Sequence, residues 1–491
     1  EVFAKGGFDC VLGNPPWDVS QLNEIEFFGA RSQEIANLLG ENRKRAIAML
    51  KHDDPILWNE FSEQKRIFES FNQFVRLSER FRLSTKGKTN LYVVFSELFL
   101  DLHTKHNGRA GLIVPSGIAT DDSTKDFFGA ISRKGLLVSL YDFENRLRIF
   151  PDIDSRIKFC LLSMGAACIA DFAFFLTTVE QLGDERRHFS LSPEDFELLN
   201  PNTYTCPVFR SQKDAEITRK IYKSVPILIR EVNKDKESHK INPWDIAFRQ
   251  GLFNMTSDSA FFHTSSAPGL MPLYEAKLIH QFDHRWATYS TSNVAPDKEP
   301  RCRELTDEEK RDPHLSIQPR YWVEEPEVLA RIADAPKAII KAWRTGSIDE
   351  LRKALREPGI PRQFAALADS SDLLAEVGAW LEAKSPRWLM GWRNITNATN
   401  ERTVIASVLP RAGVGHSMPL MIFSSTIKSC LIACLISNLS SILVDFIARH
   451  KIGGTNLNYF IYKQLPVLPP EAYNPNDLAF IIPRVFALTY T

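Results

Sequence analysis

The sequence has no Cys-x-x-Cys pair among its seven cysteines, Cys10, Cys160, Cys168, Cys206, Cys302, Cys430 and Cys434. An odd count without close pairs excludes a secreted disulfide framework and the usual structural zinc sites. Most of these thiols read as small buried hydrophobes in a reducing compartment. There is no surplus of either charge: 60 Lys and Arg stand against 60 Asp and Glu. Net charge therefore does not point to a polyanionic partner, and any basic face must be local. A membrane span is lacking too. The apolar stretch 419–447 is interrupted by Ser424, Ser425, Lys428, Ser437, Asn438, Ser440, Ser441 and Asp445, short of the ~20 uninterrupted apolar residues that a crossing needs. It reads as a buried helix, and the chain as cytoplasmic. No low-complexity tract, internal repeat or signal-like segment occurs.

What is present is a globular composition, 44% hydrophobic over 491 residues, enough for two to four domains. Short apolar runs at 8–13, 108–115, 136–143 and 157–165 read as buried strands, the last two as an antiparallel hairpin at a sheet edge. Helices are expected over 59–83, 90–106 and 124–135, the last ending at Gly135. This alternation predicts an α/β layer with a mainly parallel sheet. Beyond 165 the texture turns polar and rich in turn signals. Segment 300–385 is charged and helical in pattern, 386–412 alternates like strands, and 426–450 reads as one apolar helix. The expected organisation is a first domain 1–170 with a helical insertion 18–88, a connector 171–270, an α+β region 271–470 and a tail 471–491.

One tetrapeptide carries chemistry: Asn14-Pro15-Pro16-Trp17, directly after the buried run 8–13, where ligands bind in open α/β sheets. An exocyclic amine on a nucleobase is a poor nucleophile because its lone pair is delocalised into the ring. Two acceptors fixed on its N–H bonds draw the nitrogen toward a tetrahedral shape and free that pair. The Asn14 side-chain oxygen supplies one acceptor and the Pro15 carbonyl the other, held by consecutive prolines of fixed φ. Trp17 offers a face for a base swung out of a duplex. Against this stands the reading of the tetrapeptide as a turn that ends a strand. The second such motif, Asn242-Pro243-Trp244, follows no buried strand and is read as a turn.

The flanking residues extend the motif. "FDCVLGNPPW" (8–17) resembles the motif IV block of gamma-class adenine-N6 DNA methyltransferases, and more closely that of the large methylases of type IIG restriction–modification and phage-defence systems. "TNLYVVFSELFL" (89–100) resembles their motif V helix, "GRAGLIVPSGIATDDSTKDFF" (108–128) motifs VI and VII, and "FENRLRIFPDIDSRIKFCLL" (143–162) motif VIII. The resemblance implies that Phe150 packs on the other side of a flipped adenine and that S-adenosylmethionine is the methyl donor. It implies an incomplete Rossmann-like methyltransferase sheet followed by an α+β target-recognition domain. In this family the glycine-rich cofactor loop lies upstream of motif IV. Here only thirteen residues precede Asn14, and none forms such a turn. The expectation is an N-terminally shortened catalytic domain, inactive alone, with Thr89 and Asn90 as the residues left to touch the methionine end.

The blocks 272–289 and 452–470 resemble parts of the same large methylases, the second also the specificity subunits of type I systems. The DNA-contacting candidates are Lys277, Arg285, Trp392, Arg393, Asn400 and Arg402, since Arg suits guanine and phosphate, and Asn suits adenine. His280 and His284 sit four apart without a third ligand and read as a helix surface, so no metal site is assigned. The implied partners are double-stranded DNA and subunits of a restriction or defence system, with no membrane. Two alternatives stay open: a DNA-binding specificity module without activity of its own, and an N-methyltransferase acting on protein glutamine or RNA.

Overall fold

The computed structural model describes residues 2, 4, 6–103, 107–234, 237–290, 300–424 and 426–489, and the chain divides into two compact units, Glu1–Ser224 and Val225–Thr491. The first is built on a mixed sheet of six strands: β1 (Cys10–Gly13), β2 (Arg109–Pro115), β3 (Leu137–Glu144), β4 (Lys158–Met164), β5 (Ala170–Leu176) and β6 (His188–Leu191), in the order β1-β2-β4-β3-β5-β6. β1 runs parallel to β2 and β3 parallel to β5, while β4 is antiparallel to both of its neighbours. Consequently β1, β2, β3 and β5 all point the same way and end on one edge. Alternate residues of β2 are buried, Ala110, Leu112 and Val114, as expected for a covered sheet.

The antiparallel pairing of β3 with β4 agrees with the sequence expectation, but its place does not. The pair lies inside the sheet, with β4 inserted between β2 and β3 and with β5 and β6 beyond. The sheet thus continues to Leu191, past the boundary expected at 170, and the segment 171–270 is not a connector. Its first part completes the first unit, and Ile246–Arg249 belongs to a sheet of the second.

The insertion 18–88 is helical: α1 (Glu24–Gly29), α2 (Gln33–Asn37), α3 (Gly40–Asp53) and α4 (Pro55–Leu77). Asp54 caps α4 by accepting from Leu57 N at 3.0 Å, with Pro55 in the first turn, a strong start signal. These helices share a cluster of Phe27, Phe28, Ile35, Ile47, Leu50 and Phe61. Then α5 (Leu91–Leu102) buries Tyr92, Val93 and Val94; the 104–106 end of the helix expected there lies outside the described residues.

In the second unit Ala406–Pro410, Trp388–Trp392, Leu420–Phe423 and Ile246–Arg249 form an antiparallel sheet of four strands in that order. Helices between 337 and 383 pack on their own core of Ile339, Leu351, Leu355, Val377 and Leu381. The single helix expected over 426–450 is two, Ser429–Leu439 and Ile442–Arg449, bent by 54°. Ser441 starts the second by accepting from Val444 N at 3.2 Å. No single described helix is long and apolar enough to cross a membrane; the bent pair passes by length and composition together, with Ile432, Cys434, Leu435 and Ile447 buried in the protein. The expected tail holds a further helix, Pro475–Thr489, packed on Ser429–Leu439. Of the seven cysteines, Cys160, Cys206 and Cys434 are buried, whereas Cys10 and Cys168 are exposed.

Candidate functional site

The site lies where β1, β2 and β3 end. β1 passes close to α5: a Cβ on Gly13 would stand 2.8 Å from the Phe99 ring, so any larger residue immediately before the motif requires that ring to shift. Asn14 then emerges exposed, Pro15 is buried, Pro16 is exposed and Trp17 is half-buried. Among the described residues the Asn14 carboxamide has no hydrogen-bond partner. The indole N–H of Trp17 donates to Ile113 O of β2 at 3.2 Å. Downstream, the chain is tied to the start of α5: Ser20 N donates to Thr89 O at 2.8 Å and Leu91 N to Asp18 O at 3.0 Å. The tetrapeptide is therefore held at both ends, by a parallel strand pair and by a helix start.

Phe150 reaches the same region from the loop after β3. Trp17 and Phe150 both pack against one cluster of Phe143, Phe159, Ala173 and Leu176, and both remain part exposed. Phe150 meets Phe159 edge-on at 5.0 Å, and Phe159 stacks on Phe143 at 5.4 Å. The loop owes its shape to Asn145, which is fully buried. Its carboxamide accepts from Phe150 N at 3.0 Å and donates to Phe150 O at 3.0 Å and Ile153 O at 2.9 Å. A second buried polar group, Asp142 on β3, accepts from the Ser116 hydroxyl at the end of β2 and from Phe175 N. Burial pushes the Asp142 carboxyl above the usual carboxylate range, opposed by the Ser116 hydrogen bond and the Lys158 charge. Burial also raises Asp121, and it raises Tyr92 with a further push from the Asp121 charge. Asn145, Asp142 and Ser116 were not singled out in the sequence, which offers no signal for residues that act through burial.

For the methyl donor, the two expected side chains differ. The Thr89 hydroxyl is buried and lacks a partner, so a ligand does not reach it as it stands. The half-buried Asn90 does not cap α5 with its side chain, and its amide is available. Asn90 alone does not make a cofactor pocket.

In the second unit the structure redistributes the expected DNA contacts. Trp392 is a core residue, 0% exposed, stacked on Tyr462 at 4.1 Å with its indole N–H donating to Leu457 O at 2.9 Å. Arg285 is buried, its guanidinium donating to the carbonyls of Lys310, Asp312 and Leu315. Arg393 is spent on Ile279 O, and burial lowers its pKa. These three cross-brace loops and are withdrawn as DNA contacts, because a cation or indole pinned to carbonyls is not free to meet a base edge. Lys277 pairs with Glu275 at 3.1 Å and lies 4.9 Å over the Tyr289 ring. Asn400 is exposed and Arg402 is half-exposed. Neither His280 nor His284 lies on a helix: His280 bridges to Asp283 across a turn and His284 follows in the next turn, with the His280 ring 4.3 Å from Trp286. Asn242-Pro243-Trp244 is a turn as expected: Asn242 bonds across it to Ile246, and Trp244 is buried.

No protein-family model matches the sequence, and no curated protein matches it. Solved structures do. The type IIL restriction–modification enzyme MmeI in complex with DNA is 10% identical, covers 97% of this chain and 48% of its own, with a TM-score of 0.38. The type IIG restriction endonuclease BpuSI is 12% identical, with coverage of 86% and 47% and a TM-score of 0.29. A methyltransferase subunit of a type I restriction–modification system from Streptococcus thermophilus is 13% identical, with coverage of 38% and 35% and a TM-score of 0.23. The chain spans under half the length of each. The structures to which this mixed α/β protein is similar are thus methyltransferase subunits and endonucleases of restriction–modification systems.

Proposed function

We propose that the chain carries the base-binding part of a DNA methyltransferase that modifies N6 of adenine within a restriction–modification or phage-defence system, joined to a region that recognises DNA sequence. The observation that carries this reading is the pairing of an exposed, unengaged Asn14 carboxamide with two part-exposed aromatic rings, Trp17 and Phe150, seated on one buried cluster. Stacking on an aromatic ring is worth about 1–3 kcal/mol per base, comparable with the few kcal/mol needed to extrude one. The Asn14 oxygen and the Pro15 carbonyl accept the two amine N–H bonds, and the prolines keep the acceptors from reorienting. S-adenosylmethionine is the proposed donor and supplies an electrophilic methyl when bound.

The test is Asn14→Ala in the full-length protein. The side chain is exposed and unpaired, so folding is preserved. Methyl transfer to duplex DNA should fall by on the order of 10²–10³, the usual cost of removing one preorganised polar group from a reacting centre, while DNA affinity stays within about twofold. Turnover close to that of the unsubstituted protein would reject the assignment.

A further inference from the structure

The second unit contains an open cleft of about 1860 Å³ between the end of its four-stranded sheet and the helices at 325–345, well above the roughly 300–1,000 Å³ of small-molecule pockets. Six cationic side chains line it against three carboxylates, a local excess in a chain whose charges balance overall. Three of the six, Lys337, Lys341 and Arg344, lie on the helix Lys337–Thr345. Their spacing of four and three sets them along one face, while Ile339 and Ala342 are buried. Arg331 and Arg344 both pair with Glu327. By contrast, Lys337, Lys341 and Lys384 are exposed and, among the described residues, have no carboxylate within ion-pair distance. Lys384 enters from the end of the helix Leu373–Ala383, its ammonium 5.8 Å from the Phe364 ring centroid, so cations without a carboxylate partner converge from two elements. The sheet lines the same cleft with half-buried aromatic rings, Trp388 and Phe423, with centroids 6.1 Å apart.

We infer that this cleft is a nucleic-acid groove, in which Lys337, Lys341 and Lys384 meet backbone phosphates and Trp388 and Phe423 offer faces to bases or sugars. Unpaired lysines spend no energy breaking ion pairs when a polyanion arrives, and counterion release drives its association. Aromatic faces interleaved with cations favour nucleotides over an acidic peptide, which has charge but no stacking surface. The inference deepens the proposed function by placing its DNA partner on residues other than Arg285, Trp392 and Arg393, and it rests on that reading only for the choice of DNA.

The test is Lys337→Ala/Lys341→Ala/Lys384→Ala in the full-length protein, with binding to a duplex oligonucleotide measured by fluorescence anisotropy from 50 to 300 mM salt. Each lost phosphate contact should lower the slope of log Kd against log salt by about 1, and the triple variant by about 3. The three single variants, each expected to lower it by about 1, serve if the triple variant does not fold. An unchanged slope overturns the groove. So does competition by poly-aspartate equal to that by an oligonucleotide of the same charge, which would mark the surface as a site for acidic protein. The two proposals fail separately: Asn14→Ala reads methyl transfer at saturating DNA, whereas the lysine variants read affinity in the absence of cofactor.

Discussion

At the scale of single residues, Asp142 shows what a short motif leaves out. Its carboxyl is buried at 3% exposure, with two donors aimed at it, and its pKa is raised, first by burial. The sign follows by linkage. A carboxyl whose pKa is higher folded than unfolded binds its proton more tightly in the fold, so its contribution is fully present below the unfolded value of about 3.9 and is lost as pH rises through the folded value. Asp142→Asn should remove that loss. The amide oxygen can accept from Phe175 N while the amide nitrogen donates to the Ser116 oxygen, because a hydroxyl serves as donor or acceptor. Urea unfolding from pH 3.5 to 7 should therefore show the unsubstituted protein losing stability relative to Asp142→Asn as pH rises; parallel profiles would mean that Asp142 titrates alike in both states. The residues proposed to touch the base, Asn14, Trp17 and Phe150, were legible because chemistry and order along the chain name them. Asp142 and Asn145 were not, since an aspartate inside "LYDFEN" becomes informative only once β4 and β5 flank it and Ser116 and Phe175 donate to it.

At the scale of elements, alternation and length gave β1 to β4, α4, α5 and the helix Lys125–Arg133, but not the order of the strands. Nothing in "IKFCLLSM" says that it lies between β2 and β3 rather than outside them, because either place buries the same apolar residues. β5, "ADFAFFL", does not stand out in the sequence because it sits among turn signals. The break in the last long helix depends on Ser440-Ser441, which reads as polar interruption until Ser441 is seen to cap a new helix. Gly13 tests how the elements fit around the motif. It is needed not for an unusual φ but for the approach of Phe99, whose ring would meet an added Cβ at 2.8 Å. Overpacking of this kind costs about 1–3 kcal/mol, and here it would turn the Phe99 ring out of its place beside the strand that leads into Asn14. Gly13→Ala should lower the unfolding midpoint and reduce methyl transfer, and Gly13→Ala/Phe99→Leu should recover part of both. A double variant no better than the single would remove Phe99 as the cause.

At the scale of the molecule, the boundary expected at 170 was set by a change of texture, from apolar runs to polar turns. The real division follows hydrogen bonding: β6 closes the first sheet at Leu191 and the helix Gln212–Ser224 completes that unit before the second begins at Val225. Each unit holds buried clusters made of its own residues, so each has the means to unfold as its own cooperative step. Trp392 discriminates between two roles at this level. As the sequence suggested it, the indole would contact DNA, and Trp392→Ala would weaken binding while leaving stability unchanged. As the structure has it, the indole fills the space between its strand and Tyr462 and satisfies the Leu457 carbonyl. Its removal should cost about 3–5 kcal/mol from the second unit alone. Hydrogen exchange of the full-length protein followed by mass spectrometry resolves this: protection should fall in peptides from 388–392 and 457–465 and hold in those from β1 to β6. Uniform protection across both units, together with weakened DNA binding, would return Trp392 to the surface role that its burial argues against.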